Sequence, residues 1–337
     1  MNLAITGTGA VSPAGWGVEP LMDALRNGNR PELGWLERIC GESIVKTPVL
    51  RVPTDNSRVP KSPRLRRTSP ISKFAAAAAM EALGEQRLAR IADGLRVGVI
   101  FTLSNGCVNY SNRFFGEVMT DPTMASPILF PETVFNAPSS HLSAMIGSTA
   151  PNDSLIGDWS GFLTGIDLAA EWLERGDVDG CLVVASEELD WLSSEALALY
   201  SRSLVPSEGA AAIYLEDAQG PVLVEALPDP VSHTGRSRAE AARQLRKLLY
   251  VREEGNCLLI DSRSGVRRFD RPENQQWENW SGAVWSPKLI LGECIGANAA
   301  LQVVAAVEAL KSGPWKQAVV SSVGANQQAA AMVLGKP

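Results

Sequence analysis

Short apolar runs alternate along the chain with longer segments whose apolar positions recur at helical spacing. Residues 3–6, 97–101, 181–185, 210–215, 222–225, 257–260, 318–320 and 331–334 are runs of the first kind, which predicts buried strands. Residues 18–26, 71–83, 161–174, 237–250 and 297–310 are of the second kind and predict helices. In 161–174 the apolar residues Phe162, Ile166, Ala169, Ala170 and Leu173 fall on one face. The alanine run within 71–83 favours helix and permits close packing. Strands alternating with helices predict an α/β protein, and the order of elements repeats. The expectation is two α/β halves in tandem, residues 1–217 and 218–337, each with a mainly parallel sheet.

Two segments break the pattern. Gly7-Thr8-Gly9-Ala10-Val11-Ser12-Pro13-Ala14-Gly15 reads as a glycine-rich turn after the first strand. It fails as a dinucleotide fingerprint, because Ser12 stands where a third glycine belongs and Pro13 would interrupt the receiving helix. Residues 28–69 lack periodicity and are rich in Pro, Arg and Ser, so they read as an irregular surface excursion.

Composition narrows the function classes. With 337 residues, 45% of them hydrophobic, the chain can bury a large core. A net charge of −6 argues against nucleic-acid binding, which needs a dominant basic footprint. Five dispersed cysteines without a CxxC pair predict neither a zinc site nor a disulfide framework. No charged leader or run of apolar residues long enough to span a membrane is present, so a soluble, cytoplasmic protein is expected.

Several motifs, in order, carry a resemblance. They are residues 5–15, Arg66-Arg67 before the alanine-rich helix, Phe130-Pro131 followed by Asn136-Ala137-Pro138-Ser139-Ser140-His141, the block from Asp158 to Ser186, Ser207-Glu208-Gly209-Ala210, and residues 292–310. Together they resemble the β-ketoacyl-(acyl carrier protein) synthases of the thiolase superfamily. The resemblance implies a five-layer α-β-α-β-α thiolase fold of two similar halves, and a homodimer or heterodimer. It implies no cofactor and no metal.

In that family a cysteine at a helix N-terminus carries the acyl group, and two histidines stabilise the anion formed on decarboxylation. Here the cysteine position matches Asp158 in Gly157-Asp158-Trp159-Ser160-Gly161. The second histidine matches Glu293, five residues after the retained Lys288, and the first falls on Asp261. Carboxylates at these positions would repel the enolate, so condensation by the family's route is expected to be lost. Trp159 would crowd the acyl pocket. By the same resemblance, Phe162, Val323, Gly324 and Asn326 join Trp159 as candidate acyl-binding residues.

The implied function is that of a chain-length-factor-like partner, shaping the acyl tunnel of an active ketosynthase. Two alternatives stand beside it. One is acid-base chemistry on acyl thioesters by Asp158, Asp261 or Glu293, and the other is a noncatalytic homodimer that binds acyl chains or carrier protein. The plainer reading of Asp158 is a helix N-cap. If the three carboxylates converged, they would share protons or gather a cation. Lys288 is expected to pair with Glu293 or Asp158, Cys294 to be an inert buried thiol, His141 to be packed, and His233 to be exposed. Carrier proteins are acidic, so Arg243, Arg246 and Lys247 on one predicted helix, and Arg64, Arg66 and Arg67 as a second group, are candidate docking cations.

Overall fold

The computed structural model describes residues 2–325 and 327–337. In chain order the strands are β1 (Leu3–Ser12), β2 (Gly15–Trp16), β3 (Gly34–Cys40), β4 (Ser43–Val49), β5 (Val97–Leu103), β6 (Asn152–Ile156), β7 (Gly180–Glu187), β8 (Gly209–Asp217), β9 (Val222–Ala226), β10 (Val231–Ser232), β11 (Cys257–Ile260), β12 (Ala283–Trp285), β13 (Gln317–Val323) and β14 (Gln328–Gly335). The helices are α1 (Val18–Asn27), α2 (Pro70–Ala92), α3 (Val108–Thr120), α4 (Ala137–Ile146), α5 (Gly161–Glu174), α6 (Trp191–Tyr200), α7 (Arg238–Leu248), α8 (Arg267–Trp277), α9 (Pro287–Leu291) and α10 (Asn298–Ser312).

Strand order exposes the duplication. The path runs β12-β11-β13-β14-β9-β1-β8-β7-β5-β6, so β1-β8-β7-β5-β6 on one side repeats as β9-β14-β13-β11-β12 on the other. Pairing sense repeats too: β5 is parallel to β6 and β7, as β11 is to β12 and β13, while the remaining pairs within each half are antiparallel. Each half is therefore mixed rather than mainly parallel. The halves meet at β1 and β9 through only two residue pairs, Ala4 with Leu223 and Ile5 with Val222.

Alternation along the strands builds the five layers. Ile100, Val183, Ala211 and Ile213 from one sheet, and Leu258, Ile260, Val320 and Met332 from the other, pack on α5 and α10 in a central core. The opposite faces, carrying Val99, Phe101, Val184 and Tyr214, pack under α2 and α4, and those carrying Leu259, Val319 and Val333 pack under α7. Helix α10 is buried along nearly its whole length, which explains why its sequence is apolar all round.

Most of the glycine-rich segment is strand: β1 continues to Ser12, and only Pro13-Ala14 turn before β2. A Cβ on Gly7 would come within 2.0 Å of the Ala82 carbonyl oxygen, and one on Gly9 within 1.9 Å of that of Ala78. These glycines let the backbone of α2 lie directly on β1, and the alanines of α2 complete the close approach. The excursion over 28–69 also holds an unpredicted hairpin, β3–β4, whose Trp35, Ile39 and Ile44 are exposed. Its outward apolar side chains hid it from a search for buried alternation.

Gly9→Ala should overpack the α2–β1 contact and lower unfolding free energy by about 1–3 kcal/mol. Gly116→Ala in α3, where an added Cβ meets open space, should be neutral or stabilising by roughly 0.5–1 kcal/mol. Urea denaturation of the two variants checks the contrast.

Candidate functional site

Strand β6 ends at Ile156 and α5 begins at Gly161, so Asp158 stands in the turn between them. The turn is held by the Gly157 N–H donating to the Leu103 carbonyl at 3.0 Å and by the Ser104 hydroxyl donating to the Gly157 carbonyl at 2.7 Å. Asp158 is not the helix cap. That position belongs to Ser160, which makes no side-chain capping bond.

The Asp158 carboxylate instead reaches the opposite half. One oxygen accepts the Trp159 N–H at 2.8 Å, and the other accepts the N–H groups of Gln327 and Gln328, both at 3.1 Å. Gln328 opens β14, so the carboxylate clasps the loop that joins β13 to β14. Gly324 makes room for it, because a Cβ there would lie 1.9 Å from the bound carboxylate oxygen. Asn326 lies outside the described residues.

Beside Asp158, an apolar cluster lines a cavity of about 310 Å³. Trp159 is buried with Leu197, Leu204, Val266, Phe269 and Ala325, its ring edge-on to Phe269 at 6.2 Å. The Lys288 ammonium sits 4.0 Å from the centre of the Trp159 indole and donates to Glu293 at 3.1 Å. Glu293 also accepts the Ile295 N–H at 3.1 Å and the Asn298 side-chain amide. Burial raises the Glu293 carboxyl above the ordinary range, with the Lys288 charge opposing the rise. A buried ion pair stacked under an indole is a packed plug, with every charge engaged.

Asp261 faces elsewhere. It holds the Arg263 side chain and accepts the Arg263 N–H at 3.2 Å. Burial raises its carboxyl and Arg263 counteracts. Successive side chains in extended backbone point to opposite sides, and the residue that turns inward here is Ser262. Its hydroxyl donates to Glu273 at 2.6 Å and accepts the Val323 N–H at 3.1 Å. The three carboxylates of Asp158, Asp261 and Glu293 share no partner and line three separate cavities. Among the described residues, no three His, Cys, Asp or Glu side chains are grouped to hold a metal.

Other expectations sort in the same way. Phe162 is fully buried in the central core and Val323 in the α7 core. His141 is packed, its Nε2 2.9 Å from Glu132. His233 is buried rather than exposed, because β10 pairs with β14 and the His233 N–H donates to the Gln327 carbonyl at 2.7 Å. Burial, then the charges of Glu187 and Glu293, push the Cys294 thiol far up, leaving it unreactive. On α7, Arg243 pairs with Glu240, while Arg246 pairs with Glu254 at 2.7 Å and lies over Trp277, leaving Lys247 free of ion pairs among the described residues.

Several buried acids escaped the sequence reading, Glu187 and Glu273 among them. Glu187, at the end of β7, accepts the N–H groups of Ser104 and Asn105 beside the Asp158 turn, and burial pushes its carboxyl up to about 8. Glu273 on α8 accepts from Ser262 and Ser321, and burial followed by the nearby Asp261 charge raises it too. An acidic pair, Glu187-Glu188, directly after an apolar strand was the available signal for the first. Nothing in the sequence marked the second.

Comparison with known proteins gives the family and the fold. Residues 2–227 match the family described as beta-ketoacyl synthase, N-terminal domain. The chain belongs to the β-ketoacyl synthase family. No curated protein sequence matches it. Among solved structures it is similar to the ishigamide ketosynthase/chain length factor, with TM-score 0.84 and 18% identity over 100% of this chain and 99% of that one. It is similar as well to the ketosynthase ApeO in complex with its chain length factor ApeC from Xenorhabdus doucetiae, with TM-score 0.80 and 15% identity over 100% and 98% of the two chains. A third likeness is to AntDE:AntF, a type II polyketide synthase acyl-carrier protein in complex with its ketosynthase, with TM-score 0.79 and 17% identity over 100% and 99%. These likenesses establish the thiolase fold across the whole chain.

Asp158→Ala should remove charge-assisted bonds to three backbone amides and lower stability by on the order of 3 kcal/mol, measured by urea unfolding. For Glu187, the folded carboxyl titrates near 8 against 4.5 as the reference, so the native state binds the proton more tightly and stability falls as pH rises through this window. Glu187→Gln should flatten that fall, read from unfolding midpoints at pH 5, 6.5 and 8, each value being roughly spaced across the titration.

Proposed function

We propose that this chain is a non-condensing ketosynthase homologue that acts as a chain-length-factor-like partner of an active ketosynthase. The observation that carries the reading is the state of the nucleophile seat. The Asp158 carboxylate is engaged by three backbone amides, and Trp159 beside it stacks on the buried Lys288–Glu293 pair. Among the described residues, no group there is placed to accept an acyl chain or to stabilise an enolate. Structures similar to the chain include ketosynthases with chain length factors, which fits such a role.

The surface supports association. Strand β6 ends the sheet with its outer edge unpaired, a ready template for a strand from another subunit. Helices α3 and α6 share a surface cavity of about 810 Å³ lined by Phe114, Phe115, Trp191 and Leu192. Phe115 is 64% exposed and Leu199, at the end of α6, is 87% exposed. Large apolar side chains left this open mark a protein interface.

For a carrier protein, the α7 cations are weakened by their pairs with Glu240 and Glu254. Arg64, Arg66 and Arg67 are exposed and free of ion pairs among the described residues, and we place carrier docking there rather than at Arg243, Arg246 and Lys247. The same reading puts the chain in the cytoplasm beside its synthase. Among the described residues, no helix is long and apolar enough to cross a membrane. We further propose that the two halves divide between residues 217 and 218.

Purified alone, the chain should show no condensation of malonyl and acyl carrier proteins, and Asp158→Cys should not restore it. Coexpressed with an active ketosynthase, it should elute as a stable complex by size exclusion. Phe115→Asp with Leu199→Asp should dissociate that complex while leaving the circular dichroism spectrum unchanged. Condensation by the chain alone, or a complex indifferent to these substitutions, contradicts the proposal.

A further inference from the structure

A second cavity, of about 580 Å³, opens between α8 and the outer strands β11 and β12. It lies apart from the Asp158 site and shares none of its lining residues. Its floor is apolar: Leu259 and Val284, which are register partners in the parallel pair and so face the same side. Trp277 forms part of the wall and is fixed, its indole N–H donating to the Ser321 hydroxyl at 3.4 Å and its ring covered by Arg246 at 4.7 Å.

The polar lining is dominated by guanidinium groups. Arg263, Arg267 and Arg271 all reach the cavity, opposed by Asp261 and Glu278, an excess of one positive charge. Asp261, almost fully buried, is taken up by Arg263, which also donates to the Ser286 hydroxyl at 3.0 Å. Arg263 is thereby held in place with part of its donor fork unused. Arg267 and Arg271 stand one turn apart on α8 and make no hydrogen bond or ion pair among the described residues. Guanidiniums one helical turn apart are neighbours on the helix surface. Two unpaired guanidiniums beside a third that is anchored form the donor set that recognises a phosphoryl group, with several N–H donors for its oxygens.

We infer that this cavity binds an organic phosphate, its phosphoryl group held by Arg263, Arg267 and Arg271 and its apolar or planar remainder lying on Leu259 and Val284. A bare phosphate would leave the floor unused. A neutral apolar molecule would leave the arginines unpaired. A nucleic-acid strand is disfavoured by the overall charge of −6 and by Glu278 at the rim. The site is independent of the partner role proposed above.

Isothermal titration with phenyl phosphate, inorganic phosphate and benzyl alcohol tests it. Phenyl phosphate should bind with one-to-one stoichiometry, more tightly than inorganic phosphate, and benzyl alcohol should not bind. The double variant Arg267→Ala/Arg271→Ala changes two exposed side chains, so it should fold normally, and it should weaken phenyl phosphate about tenfold or more. Arg243→Ala, outside the cavity, should leave affinity unchanged. No binding of phenyl phosphate, equal affinity for inorganic phosphate, or equal weakening by Arg243→Ala would each overturn the inference.

Discussion

The central helix layer constrains everything around it. Helices α5 and α10 lie between two sheets, and α10 has no side facing water along most of its length. Burial on that scale supplies the main driving force for the fold. It also sets the turn ahead of α5 between the halves, where a polar group that loses water gains from a hydrogen-bond partner. Asp158 finds such partners in backbone amides of the other half, and so serves as a cross-half fastener.

The same demand explains the acids around it. Glu293 is matched by Lys288, Asp261 by Arg263, and Glu187 and Glu273 by backbone amides or hydroxyls. Each of these four is satisfied locally. A catalytic pair needs titratable groups within reach of a common substrate atom. Here Asp261 and Glu293 line different cavities.

Much of the fold was legible. The central helix of 161–174 and strand 257–260 coincide with the observed α5 and β11, because buried elements leave clean periodicity. The site was legible in part. The Lys288–Glu293 pair is among the partners foreseen. What the sequence hid follows from geometry. Gly7 and Gly9 look like turn residues until α2 is laid upon them. Hairpin β3–β4 turns apolar groups outward, so its alternation carried no burial signal. At the end of β11, a one-residue offset decides which of Asp261 and Ser262 faces inward, and sequence alone does not set it.

A chain made of two equivalent halves carries two terminal strands, and two adhesive borders would let copies add end to end without limit. The repeat is uneven at this point: β6 runs for five residues, while its counterpart β12 has three. So short a strand offers little backbone for a newcomer to grip. Strand addition would therefore have one competent border, and a contact through it would close as a pair instead of continuing into a filament.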